Sequence, residues 1–237
     1  MEDRMASWQK VGEGIWARTY IFNGNPLTNS LIDIGDGGLM AVSPGTDLSA
    51  ADFDAVDKLG TVKALLSPGA FHNMGLPVWN ERYPDASIYG PTSAISHIAK
   101  AHKKLPALQH LSALNDVLPD DVHVEEVAGM HHADAFVAVS RDDGTTWFTN
   151  EVITNWEGWP SKFMFRMIFK FTGSGPGLNV NTMAVKLVKG KKAEIRSFYE
   201  AKLASHKPTR LVPCHHAVIE DPELGSKLAD VLANRLS

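Results

Sequence analysis

The sequence predicts an α/β (α+β) chain folded as a four-layer αβ/βα sandwich, two sheets face to face with helices on their outer sides. Three observations predict it. Residues 14–42 read as consecutive strands with tight turns, residues 122–149 read as a second run of strands, and each β-rich region is followed by segments of helical period. Strands with a helix, then helices, then strands, then helices is the order that lets each sheet bury one face on its partner and the other on helices.

The elements follow in order. Gly14 to Phe22 is rich in β-branched and aromatic residues and runs into Asn23-Gly24-Asn25-Pro26, a strand entering a turn. Asn29 to Ile34, Asp36-Gly37-Gly38 and Leu39 to Val42 give a strand, a turn and a strand. Asp47 to Leu59 places Leu48, Ala51, Ala55 and Leu59 at helical spacing, with Gly60 as stop signal, before the apolar strand Val62 to Leu66. A loop, a helix around Trp79 and a strand at Ile88-Tyr89-Gly90 come next, then a helix over Thr92 to Lys103. Val122 to Val127 and Ala135 to Ser140 read as strands, and Asp142-Asp143-Gly144 turns the chain into Thr146 to Thr149. The aromatic stretch Trp156 to Phe171 has a helical period and is broken by Thr172 to Gly177, a loop with no preceding strand and hence no nucleotide cradle. Lys192 to His206 is an amphipathic helix, Leu211-Val212-Pro213 a short strand, and Pro222 to Leu236 a closing helix.

The expectation for the whole chain, residues 1–237, is one domain, with an aromatic insertion at about 156–178 acting as lid or subunit contact and a homo-oligomer as the corresponding assembly. A hydrophobic fraction of 44% and a charged fraction of 21% are those of a globular protein able to offset chain entropy by burial. A net charge of −4, with lysines and arginines scattered, supplies no basic stripe for phosphates, so nucleic acid is excluded as main partner. No run approaches the roughly 18 apolar residues that cross a bilayer, and Met1 to Lys10 lacks the apolar core of a secretory signal, so no membrane partner and a cytoplasmic location are expected. The lone Cys214 excludes an internal disulfide and an all-cysteine zinc site, leaving imidazoles and carboxylates to hold any metal.

The stretch Ser67-Pro68-Gly69-Ala70-Phe71-His72-Asn73-Met74-Gly75, between an apolar strand and Trp79, resembles the loop of the metallo-β-lactamase superfamily that carries His-x-His-x-Asp-His and then a Gly. With Gly75 as anchor, Pro68, Ala70, His72 and Asn73 occupy the four ligand positions, so the motif is degenerate. Gly129-Met130-His131-His132 resembles the family's Gly-His before a strand, Phe148-Thr149-Asn150-Glu151 its Phe-Thr-Gly-Asp, and Val212-Pro213-Cys214-His215 its final strand-end histidine. The similarity covers about residues 11 to 220. Within the superfamily the sequence looks most like a branch known only as a domain of unknown function, through Ser43-Pro44, His72, Trp79, Tyr83-Pro84-Asp85-Ala86, and Thr149-Asn150-Glu151 with Asn155. Ser43 stands where the superfamily carries an acidic residue that orients a ligand.

The resemblance implies a metal set of His72, His131, Glu151 and His215, with His72 and Glu151 as the catalytic groups. In each of the pairs His131/His132 and His215/His216, neighbours on extended chain face opposite ways, so at most one of each pair meets the pocket, and register favours His131 and His215. Such a set suits one divalent metal, zinc, iron or manganese, and the depleted first loop leaves no capacity for a second. Two functions stay open: a mononuclear metal-dependent hydrolase of an ester, thioester or lactone, with a small-molecule substrate, or a noncatalytic scaffold without metal that binds an apolar small molecule or a partner subunit. Cys214 and His215 face apart, so Cys214 is expected to be a buried free cysteine and not the nucleophile of a dyad with its neighbour.

Overall fold

The computed structural model describes residues 8–22, 24–131, 134–159, 162–215 and 217–237. The chain opens as an antiparallel meander, β1 (Gln9–Gly12), β2 (Ile15–Phe22), β3 (Asn25–Asp33) and β4 (Gly38–Val42). It then adds parallel strands through helical crossovers: α1 (Ala50–Leu59) leads to β5 (Thr61–Leu66), α2 (Leu76–Arg82) to β6 (Ser87–Gly90), and α3 (Thr92–Ala101) to β7 (Gln109–His110). The seven strands lie in sequence order in one sheet. α4 (Leu111–Asn115) carries the chain to the second half, where β8 (Val122–Glu126), β9 (Ala135–Arg141) and β10 (Gly144–Thr149) pair antiparallel. β11 (Ile153–Trp156), α5 (Phe163–Thr172), β12 (Gly177–Val180), α6 (Thr182–Leu187) and α7 (Lys192–Ser205) follow. β13 (Arg210–Pro213) then enters parallel to β10, and β14 (Ile219–Glu220) and α8 (Leu224–Arg235) close the chain. The second sheet has the order β14-β13-β10-β9-β8, and β11 with β12 makes a separate ribbon.

Three apolar clusters show why these elements stack in four layers. Ile15, Ile32, Met40, Val42 and Leu66 from the first sheet meet Val124, Val137, Val139, Phe148 and Val212 from the second, which is the core between sheets. The opposite face of the first sheet, with Leu31, Leu39 and Leu65, is covered by Phe53 and Val56 of α1, Leu76 and Trp79 of α2, and Ala94 and Ile98 of α3. Phe136, Trp147 and Leu211 on the outer face of the second sheet pack under Ile195 and Tyr199 of α7 and Leu224, Leu228 and Leu232 of α8. The period-2 alternation of the strands thus feeds both sides of each sheet.

Local chemistry sets the ends that matter for the site. Ser49 caps α1 reciprocally with Asp52, and the same Asp52 pairs with Arg18 of β2 at 3.2 Å, which ties the helix to the sheet. Trp79 of α2 donates Nε1–H to the Gly45 carbonyl at 3.0 Å, fixing the turn after β4. Two expectations change. The turn after β2 is shorter than read, with Asn25 and Pro26 already in β3, and Trp156 lies in β11 and not at the start of a helix, because its backbone pairs with Gly177. The helix there begins at Phe163. Among the described residues no helix is long and apolar enough to cross a membrane.

Candidate metal centre

Three loops bring His72, Glu151 and His215 to one end of the sandwich. His72 sits on the segment leaving β5, which is pinned by the Ser67 hydroxyl donating to the Gly69 carbonyl at 3.0 Å and by the Ala135 N–H donating to the Pro68 carbonyl at 2.6 Å. Glu151 follows β10. Its backbone N–H donates to Asp134 Oδ1 at 2.7 Å and the Val152 N–H to Oδ2 at 2.8 Å, so one fully buried carboxylate holds the turn. His215 follows β13, strapped by the Thr28 N–H donating to the Cys214 carbonyl and the Cys214 N–H donating to the Thr149 carbonyl, each at 2.8 Å.

The side chains then meet. His72 Nε2 lies 2.9 Å from Glu151 Oε1, His215 Nε2 lies 3.7 Å from the same oxygen, and one potential ligand atom from each residue falls within 4.8 Å of the others. The two imidazoles pack edge to face with centroids 5.0 Å apart, and Trp156 stacks on His215 at 5.5 Å. On its other side His72 Nδ1 is 2.9 Å from Cys214 Sγ, which is 3.3 Å from the Ser43 hydroxyl. Burial alone would depress the His72 imidazole, but Cys214 on one side and Glu151 on the other hold it well above the usual histidine range. Burial would likewise raise the Glu151 carboxyl, and the neighbouring His215 and His72 imidazoles, the second at hydrogen-bond distance, reverse that and hold it below the carboxylate range. Burial pushes the Asp134 carboxyl up to about 7, against the hydrogen bonds it accepts from the Glu151 and Val152 N–H groups.

Two nitrogens and a carboxylate oxygen are the donor types of a catalytic zinc site that keeps a position open. Ligands about 2.05 Å from a tetrahedral ion sit roughly 3.4 Å apart, and the 2.9 and 3.7 Å separations straddle that value. His215 adds a further sign. Among the described residues its buried Nδ1 has no hydrogen-bond partner, and the ring is held by stacking on Trp156 and by its Nε2 side. The residues fit one ion.

Cys214, His72 and Glu151 also stand in the order of a thiol triad. The Cys214 residue, however, is only 4% exposed and borders a void of about 20 Å³, room for one water. No acyl group reaches the sulfur, so the thiol orients the imidazole and does not attack.

Of the four histidine and carboxylate positions expected to hold metal, three converge. His131 is exposed and lines a shallow depression with Glu126, Lys191 and Glu194, outside the grouping. The exit of β8 is the physical reason: Val127 and Met130 bury themselves under α7, and the Gly129 carbonyl accepts the Lys191 N–H, which leaves His131 at the surface. His132 and His216 lie outside the described residues. Asn73 turns away, its Oδ1 2.7 Å from His102 Nε2. Sequence reasoning missed Asp134, whose signal was an aspartate immediately before the strand Ala135–Arg141, and it missed that Cys214 pairs with His72, 142 residues away, and not with its neighbour.

Comparison with solved structures identifies the fold. DIM-1 metallo-β-lactamase is similar over 96% of this chain and 96% of that one, at 15% identity and a TM-score of 0.59. A metallo-β-lactamase from Erythrobacter litoralis, with β-mercaptoethanol in its active site, is similar over 96% of both chains at 12% identity and a TM-score of 0.62. FIM-1 from Pseudomonas aeruginosa, in its mono-zinc form, covers 97% of this chain and 95% of its own at 10% identity and a TM-score of 0.57. No protein-family model and no curated protein matches the sequence, so the likeness to a branch of unknown function rests on the motifs quoted above. The chain has the metallo-β-lactamase fold, and at these identities the likeness extends to the fold alone.

Proposed function

We propose that the chain is a mononuclear metal-dependent hydrolase whose ion is held by His72, Glu151 and His215. The observation that carries this reading is the convergence of two imidazoles and one carboxylate from three separate loops, with ligand atoms within 4.8 Å. When bound, a divalent ion at such a site supplies an acidified water, its pKa lowered from about 15.7 toward about 7, and a Lewis acid for an ester, thioester or lactone carbonyl. The chain supplies the rest. Cys214 holds His72 from behind at Nδ1, which leaves Nε2 directed at Glu151, and Trp156 covers the face of His215 against solvent. The reduced donor set argues for one ion and not two.

Metal analysis of protein purified without chelator or a metal-binding tag tests this. About one equivalent of zinc, iron or manganese is expected, falling below about a tenth in Glu151→Ala and in His215→Ala and unchanged in His131→Ala. Less than about a tenth of an equivalent in the unaltered protein, with no recovery on metal addition, would favour the noncatalytic scaffold that uses the same cleft to bind an apolar small molecule.

A further inference from the structure

The cleft that opens onto His72 and His215 has a volume of about 240 Å³ and is walled by Tyr20, Phe22, Leu27, Phe71 and Met74. Phe71, 45% exposed, and Met74, 55% exposed, both lie on the segment that carries His72 and line this same cleft. Among the described lining residues there is no lysine or arginine; the polar atoms are the Tyr20 hydroxyl, the Asn25 side chain and the two imidazoles. Burial raises the Tyr20 phenol further above its ordinary value, so it stays neutral. Away from the carbonyl end at His72, a carboxylate or phosphate lodged along Phe71 and Met74 would lose its water and meet no lysine or arginine of the described lining.

We infer that the substrate is an uncharged ester, thioester or lactone with an apolar acyl chain, its carbonyl at His72 and His215 and its chain along Phe71 and Met74. This rests on the hydrolase reading for the chemistry but not for the binding. Hydrolysis would insert water across the acyl bond, giving the acid and an alcohol or thiol, or a single hydroxy acid from a lactone, with no other reactant.

Binding of methyl ketones, which lack the cleavable bond, separates the two claims. Displacement of Nile red by 2-hexanone, 2-octanone and 2-decanone is expected to strengthen about fourfold per added methylene, and 7-oxooctanoate to bind at least about tenfold more weakly than 2-octanone. Phe71→Ala and Met74→Ala, both at exposed positions, should flatten the length dependence, and Met74→Lys should reverse the preference toward the keto acid. Affinity independent of chain length, or a keto acid bound as well as the ketone by the unaltered protein, overturns the inference. Metal content measured on the same samples keeps the outcomes apart: length dependence without metal removes the hydrolase and retains the apolar ligand, whereas metal without length dependence removes this ligand class and retains the hydrolase.

Discussion

Asp134 decides where Glu151 points, since its carboxylate alone receives the two N–H groups of the turn, and it does so at a backbone φ of 64°, a conformation aspartate tolerates better than most residues. Asp134→Ala should orphan both buried donors and cost about 3 kcal/mol in denaturant unfolding, with loss of metal as Glu151 drifts. The same cluster sets a pH dependence. His72 is held above its ordinary 6.5, so its stabilising proton is fully in place below about 6.5 and is lost as pH climbs through the higher folded value. Asp134, at about 7 against an ordinary 3.8, keeps its proton in the fold where the unfolded chain has shed it, and this too favours the fold on the acid side. Glu151, held below its ordinary 4.5, acts oppositely: its contribution is present above about 4.5 and is lost only as pH falls through the lower folded value. Chelator-treated protein should therefore melt at a lower temperature at pH 9 than at pH 6, and His72→Gln should reduce that difference; a melting point that rises over this range would contradict the assignment of the His72 proton.

The loop from Ser67 to Gly75 is the element that turns a sheet edge into a site. It can pass so close to the turn after β4 because Gly75 has no side chain: a Cβ there would lie 2.1 Å from the Pro44 carbonyl oxygen and 2.4 Å from that of Gly45. Neither is a flexible side chain that could yield, so Gly75→Ala should cost about 3 kcal/mol, the upper end for overpacking, and should also lower metal content by displacing His72. Circular dichroism melts with metal analysis on the same sample would check both. This loop also shows how far sequence reading reached. Anchoring on Gly75 placed His72 in the site, and the long periodic segments settled α1, α3, α7 and α8 to within a few residues, since an apolar stripe seen by the sheet is also a pattern in sequence. Elements of two to six residues, such as β7, α4, α6 and β14, carry too few positions for a period and exist because neighbours pair with them. The aromatic neighbours of Trp156 have a helical period, whereas its place in β11 is set by pairing with Gly177 and by stacking on His215. The contacts of Asp134 with Glu151 and of Cys214 with His72 span 17 and 142 residues, and no local pattern encodes them.

At the scale of the molecule, the site needs both sheets, because His72 comes from the first and Glu151 and His215 from the second. Away from it, Arg141 of β9 joins the halves: its guanidinium donates to the Glu13 carbonyl at 2.7 Å and to the Asp33 carbonyl, and pairs with Asp121 at 2.9 Å. An ion held by His72, Glu151 and His215 would join them a second time, so occupancy and sandwich stability should be linked. At a free metal concentration a hundredfold above Kd the linkage contributes about 2.7 kcal/mol, which for a chain of this size raises Tm by about 5–10 °C. Glu151→Gln should abolish that rise. Arg141→Ala should lower the starting Tm through two lost carbonyl partners, about 1–2 kcal/mol, yet keep the whole metal-dependent rise, since Arg141 touches no ligand. Melting curves of the three proteins with and without zinc measure both effects, and a rise that survives in Glu151→Gln would place the ion somewhere other than between the sheets.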